Sequence, residues 1–321
     1  MLNILISCVG KRTDLVSSFK DEVQSDGLII ATDNNTNAMG LKIADKSYHV
    51  PPFDSNDYIL TLLNICKENS VRYILSLNVS DLIILIKNEN HFREIGCNII
   101  GGKIESIIST YDKFALSQLC FNHSLPNIKT ELLKEFSIDK KNNFPMIIKP
   151  RYGSGSRGVT VISSIDDFYR IQNELSEKSD EYIIQSFISG QEYGLDIIND
   201  LRGNFVAVYV RKKSLMKDGE THEAITCSNE NWISFAEKIS KILKHKGTID
   251  VDVILSDNIP YLIDINYRFG GGYVFSKIAG ANTVKAYVQW MKDEKPHEKC
   301  FTYKVGIKGQ RQNDGNVKIL F

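Results

Sequence analysis

The chain has 321 residues, 42% of them hydrophobic, with Lys plus Arg and Asp plus Glu both at 39. That is the composition of a globular protein with two or three small domains, and it excludes a disordered chain. A formal net charge of zero supplies no electrostatic reason to bind nucleic acid or membrane.

Residues 2–8 form a short apolar run of buried-strand type, followed by Gly10, a helical pattern through Leu15, Val16, Phe19 and Val23, and a second strand over 28–32. This β-α-β opening predicts a doubly wound sheet whose ligands gather at the carboxyl ends of the strands. Only Gly10 stands where a dinucleotide fingerprint needs three glycines. Leu5 and Arg12 occupy the remaining P-loop positions, so neither nucleotide motif is present. Lys11 and Arg12 at the strand-to-helix turn suit either an anionic substrate group or a solvated surface. The start MLNILISCVGKR places its basic end after the apolar run, the wrong order for secretion, and no apolar segment approaches membrane-spanning length. Six scattered cysteines without a CxxC add to the expectation of a cytoplasmic protein with reduced thiols.

The pattern continues with a helix over 58–68, a strand over 73–77, a helix from 82 to 88 or beyond, and a strand over 98–100. Asn78 and Asp81 fall just past a strand end, where such a sheet keeps ligand contacts. Beyond Gly101-Gly102, Ser109-Thr110-Tyr111-Asp112 caps a helix that contains Lys113. A second domain then opens near Asn127. Its strand over 144–150 carries Lys149 and ends at Pro150, and the loop Gly153-Ser154-Gly155-Ser156-Arg157-Gly158 follows. Backbone N–H groups, hydroxyls and Arg157 in such a loop can wrap phosphate oxygens, and Lys149 would reach the same phosphates. The plainer reading is a turn. A strand (159–163), a helix (165–175) and the stretch YIIQSFISG (182–190) complete this region. Strands over 193–198 and 205–211 then lead to Arg211-Lys212-Lys213, and helices over 232–243 and 284–291 flank the last pair of strands. The tail after Lys295 is polar and shows little pattern.

That pair, TIDVDVILSDNIPYLIDINYRFGGGY (248–273), reads as a hairpin turning at Ser256-Asp257-Asn258. Alternation sets Ile249, Val251, Val253 and Leu255 on one face and Asp250 and Asp252 on the other. In the second strand Tyr261, Ile263 and Ile265 oppose Asp264 and Asn266. Asp252, Asp264 and Asn266 can thus form one group of oxygen ligands suited to Mg²⁺, or simply face water. Arg268 follows, then three glycines that allow close approach to a ligand.

In this order and spacing, IIKPRYGSGSRGV, IIQSFISGQEYGLDI and LIDINYRFGGGY resemble an ATP-grasp protein. The nearer resemblance is to stand-alone relatives of the carbamoyl-phosphate synthase large subunit, including pyrrolysine-biosynthesis-like ligases. It covers nearly all the chain. It implies a mixed α/β and α+β chain, an ATP-grasp fold behind an N-terminal Rossmann-like domain. The expected divisions are a Rossmann-like domain over 1–110, a small lid over 111–187 and a large subdomain with the metal site over 188–321. The resemblance further implies that Lys113 and Lys149 contact phosphates while Ser154, Gly155, Ser156, Arg157 and Gly158 close over them. Gln185, Phe187 and Ile188 would border adenine and Glu192 would take the ribose. Asp252, Asp264 and Asn266 would hold Mg²⁺, with Mn²⁺ as a substitute, and Arg268 together with Lys149 would serve the transferring phosphoryl group. Lys11, Arg12, Arg211 and Lys212 are the expected partners of a carboxylate substrate, Arg211 first among them.

Three departures stand out: Ser186 where a second hinge acid is common, Tyr267 in place of proline before Arg268, and Asp252 with a shorter arm than Glu or Gln. The activity implied is carboxylate–amine ligation through an acyl phosphate, with ADP and phosphate released. The expected partners are a small carboxylate and an amine, with a homodimer allowed. The alternatives are a relative that phosphorylates bicarbonate or formate, and a nucleotide sensor without turnover. An NAD enzyme fails on the missing glycines.

Overall fold

In the computed structural model, residues 1–321 are described except 139–143, 154, 156, 218, 313–316 and 321. Ile4, Leu5, Ile6, Ile29, Ile30 and Ala31 are fully buried, as strands covered on both faces must be. They belong to a parallel sheet in the order β3-β2-β1-β4-β5, built from β1 (Asn3–Ser7), β2 (Ile29–Asp33), β3 (Lys46–His49), β4 (Val71–Ser76) and β5 (Asn98–Ile100). The polar edge strand β3 carries no apolar run, which is why sequence pattern passes over it. Helices α1 (Thr13–Val23), α2 (Tyr58–Glu68), α3 (Val79–Lys87) and α4 (Glu89–Glu94) accompany these strands.

Two residues expected among the ligand contacts serve the fold instead. Asn78 caps α3, its side chain accepting from the amides of Ser80 and Asp81. Asp81 is fully buried and accepts from Ser7 Oγ (2.5 Å), Tyr58 OH (2.6 Å) and Ser76 Oγ (2.7 Å). Three donors satisfy a carboxyl that burial pushes above its ordinary pKa.

After α5 (Ile104–Tyr111) and α6 (Lys113–Asn122), a four-stranded antiparallel sheet forms in the order β6-β9-β7-β8. Its strands are β6 (Thr130–Leu132), β7 (Met146–Pro150), β8 (Thr160–Ile162) and β9 (Tyr182–Ser186). Helix α7 (Ile165–Glu174), capped by Ser164, packs Phe168 and Ile171 against Ile148, Ile162 and Ile184. This small core is separate from the larger ones.

The third sheet has the order β14-β13-β10-β11-β12-β15-β16. It contains β10 (Gln191–Asn199), β11 (Phe205–Lys217), β12 (Glu220–Cys227), β13 (Thr248–Ser256), β14 (Ile259–Asn266), β15 (Lys308–Arg311) and β16 (Val317–Ile319). Leu195, Ile197, Val210, Val251 and Val253 share one core with α8 (Ile233–Leu243) and with the first sheet's helices. Beyond the other face lie α9 (Tyr273–Ile278) and α10 (Thr283–Met291), and α10 packs on α1. Phe269 sits between Phe19, Tyr273 and Tyr287 at centroid distances of 6.2, 4.9 and 5.1 Å. Burial of such rings contributes on the order of 2–3 kcal/mol each, with edge contacts adding to it. The first sheet and the third are thereby fixed to one another.

The hairpin forms as expected, turning at Asp257-Asn258, both with positive φ. One detail differs. Asp252 pairs with Asp264 but Val253 pairs with Leu262, so Ile263 is an extra, bulged residue. Leu262 rather than Ile263 enters the core, at 5% exposure. The polar tail, featureless as sequence, supplies β15 and β16, where Gly309 packs against Val317, Phe275 and Ile278.

Candidate functional site

Alternation along four adjacent strands gathers the charges on one face of the large sheet. Glu192, Gly194 and Asp196 lie on β10, with Asp250 and Asp252 on β13. Arg211 and Lys213 come from β11, and Asp264 and Asn266 from β14. This face floors a cleft of about 630 Å³. The turn after β1, including Lys11 and Arg12, and the β11–β12 hairpin also line it. Gly155 and Arg157 of the glycine loop border it as well. Ser154 and Ser156, expected in that loop, lie outside the described residues.

The expected metal ligands are adjacent. Asp252 and Asp264 are register partners, and Asn266 Nδ2 donates to Asp264 Oδ2 at 3.2 Å. Burial, reinforced by Asp250 and opposed by Lys213, pushes Asp252 up to about 6. Carboxylates crowded together in a partly buried site gain from a cation, so these residues fit a divalent ion. Among the described residues no three carboxylates, imidazoles or thiolates cluster as a ready-made metal cage. Two carboxylates and an amide suit an ion that keeps waters and phosphates as further ligands.

Arg268 donates from Nη1 to Asp250 Oδ2 (3.2 Å) and to the Phe269 carbonyl (3.1 Å). The glycines behind it also make room for the protein's own side chains. A Cβ on Gly270 would lie 2.2 Å from Asp250 Oδ1, and one on Gly272 would lie 2.8 Å from Arg211 Nε. These positions admit the protein's own Asp250 and Arg211, while Gly271 and Gly272 line the cleft.

Lys149 is buried on β7, and its pKa falls to about 8. Burial is the main cause, Lys113 adds to it and Asp264 opposes it. Lys113 Nζ donates to the Gly153 carbonyl at 2.5 Å, tying α6 to the glycine loop. Its helix is capped by Asp112, which also takes Arg151 Nε and Nη2 at 2.8 and 2.6 Å. Gln185 is buried and donates to Thr130 Oγ1 at 2.6 Å. Phe187 is 41% exposed, and Ile188 and Glu192 are partly exposed. Gly158, the last residue of the loop, has positive φ.

The expected substrate cations divide. Lys11 is exposed at the cleft. Arg12 lines it too, but donates to Asp14 Oδ1 (3.2 Å) and to the Phe269 carbonyl (3.1 Å). Arg211, the leading candidate, is committed elsewhere. It is 2% exposed, bonded through Nη1 to Asp196 and to Ser276 Oγ (2.9 Å), with Nη2 3.7 Å from Asp250. Lys212 lies on the opposite face, in register with Tyr193 and Ile225. The reason is length: β11 runs past Arg211 to Lys217, so alternation turns Lys212 away and Lys213 inward. Sequence reasoning thus missed Lys213, as well as Asp250, His222 and Arg311, all of which line the cleft. The alternation of Arg211 and Lys213 was the available signal.

Two family models match the chain. A PylC-like N-terminal domain matches residues 4–100 and an ATP-grasp domain matches residues 110–272. A carbamoyl-phosphate synthase of Methanobrevibacter smithii is 22% identical over 275 residues, covering 79% of this chain and 72% of that protein. The large chain of carbamoyl phosphate synthase from Clostridium acetobutylicum is 23% identical over 286 residues. It covers 82% of this chain, which spans only 25% of that longer protein. Among solved structures, the biotin carboxylase domain of Hydrogenobacter thermophilus 2-oxoglutarate carboxylase, in complex with MgADP and bicarbonate, superposes with a TM-score of 0.75. Identity is 18%, with 96% of this chain and 74% of that one covered.

Proposed function

From the premise that this chain belongs to the ATP-grasp family, we propose that it is an ATP-dependent carboxylate–amine ligase acting on a small metabolite. The observation that carries this reading is the shared cleft. The register-paired Asp252 and Asp264, Asn266, Arg268, the glycine loop and Lys11 all border one volume.

In this reading Lys149 and Lys113 hold the nucleotide phosphates beneath Gly155, Arg157 and Gly158. Gln185, Phe187 and Ile188 border the adenine, partly through backbone groups, and Glu192 meets the ribose. Asp252, Asp264 and Asn266 hold Mg²⁺, which supplies charge neutralisation at the phosphates. Arg268, oriented by Asp250, faces the transferring phosphoryl group, where positioning and electrostatics supply most of the rate. Lys11, backed by Arg12, orients the substrate carboxylate for attack on the γ-phosphate. An amine then displaces phosphate from the acyl phosphate so formed. Arg211 has no substrate role here; it stiffens the sheet under the site.

The test is ADP release from Mg-ATP with pools of small carboxylates, each with and without pools of amines. ADP formed only with both supports the ligase. ADP formed with bicarbonate or formate alone favours the phosphorylating relative. Tight Mg-ATP binding with no ADP in any pool favours a sensor.

A further inference from the structure

Lys213 lies on β11 and Asp252 on β13, with β10 between them. It passes over β10 at Gly194, where a Cβ would lie 3.5 Å from Lys213 Cε, an ordinary contact. Its ammonium lies 2.7 Å from Asp252 Oδ1 and 2.7 Å from Glu192 Oε1. A divalent cation on Asp252 and an ammonium hydrogen-bonded to the same carboxylate would stand a few ångströms apart in a poorly solvated site. Their repulsion makes the two occupants competitors.

The neighbouring ion pair shows what a permanent bond looks like in this sheet. Arg211 and Asp196 have side chains 3% and 0% exposed, and Arg211 lies close beneath the Gly272 backbone. Lys213, at 7%, is nearly as buried as Arg211, and the difference lies in its partners. Asp252 and Glu192 are 27% and 34% exposed, Asp252 on the cleft, and the lysine's flexible stem can follow a new acceptor.

We propose that Lys213 is the built-in counter-ion of the metal site, neutralising Asp252 and Glu192 until a nucleotide-borne divalent cation displaces it. Bare divalent ions then bind poorly, and the cation enters together with phosphates that can accept the released ammonium. Resting on the reading that Asp252 and Asp264 hold the metal, this adds an order of binding to it.

The probe is Mn²⁺ alone, titrated by calorimetry or by loss of its free-ion electron paramagnetic resonance signal. The full chain is compared with Lys213→Met and with Lys213→Gln, the gentler change should the first fold poorly. Without nucleotide, both variants should bind Mn²⁺ about tenfold or more tightly than the parent. They should melt below the parent without the ion and recover on adding it. With ADP present the difference should shrink. Bare Mn²⁺ binding no tighter than the parent's in a folded variant overturns the inference. Asp264→Asn, alone and in the Lys213 variants, separates the two readings. If it abolishes Mn-ADP binding while the Lys213 variants gain nothing for bare Mn²⁺, only the counter-ion role fails. If it leaves Mn²⁺ binding untouched, the metal assignment fails and this inference with it.

Discussion

Raising the pH should weaken nucleotide binding through one side chain. Lys149 is 6% exposed, and its pKa drops from 10.5 to about 8, first through burial, then through Lys113, with Asp264 pulling the other way. Holding the charge there costs about 3 kcal/mol relative to water. The charged form is the one that meets phosphate, so binding is strong below about pH 8 and decays above it. If only that form binds, the apparent Kd for Mg-ATP rises about tenfold between about pH 7 and about pH 9. Calorimetry with a non-hydrolysable ATP analogue reads this without any knowledge of the other substrates. Lys149→Arg keeps its proton throughout and should give a flat profile over the same range. Lys113→Gln removes a neighbouring charge and should move the inflection upward. Stability runs the opposite way. Between about pH 8 and the unfolded value of 10.5 the unfolded chain holds more protons, so stability rises with pH in that window. A parent Kd that stays constant from about pH 7 to about pH 9 refutes the argument, as does an equal decline in Lys149→Arg.

Asp264→Asn should abolish ADP formation and leave the melting temperature at the parent value, because the carboxylate serves a cation rather than the core; full activity in that variant removes the metal role. Arg211→Met should destabilise the fold by about 3–5 kcal/mol in urea denaturation by leaving Asp196 buried without a counter-charge, whereas Lys212→Ala, at an exposed position, should change both stability and the KM for a carboxylate little. Gly270→Ala places a methyl 2.2 Å from the Asp250 carboxylate; by pushing Asp250 off Arg268 it should lower kcat far more than it raises the KM for ATP, and an unchanged kcat would separate Arg268 from the chemistry.

How much of this was legible in the sequence depends on the range of the interaction. The hairpin was readable because alternation is local, and β13 and β14 form with Asp252 opposite Asp264. The Ile263 bulge was not, since it reconciles a two-residue turn with that pairing and only the register of both strands reveals it. The tail failed for a similar reason. β15 is polar and β16 only three residues long, and their place is set by the β12 edge and by the Phe275 surface, neither of which their own residues encode. The glycines after Arg268 were read by type, and type says only that something comes close. It took the fold to show that Asp250 and Arg211 are what comes close.

The three basic residues at 211–213 show the limit most plainly. By charge they are equivalent, and a strand end after Arg211 makes the first the natural ligand for a carboxylate. The strand instead continues, so alternation gives the cleft Arg211 and Lys213 and denies it Lys212. Which of the remaining two is free to act is then decided by their acids. Asp196, one strand away and fully buried, takes Arg211 permanently, since removing either partner would strand a charge in the core. Asp252 lies two strands away at the cleft's floor, and Lys213 reaches it by passing over Gly194 of the intervening strand. A site of this kind is specified by residues far apart in sequence, so its charges could be counted from the chain, but their assignment to permanent and exchangeable pairs could not.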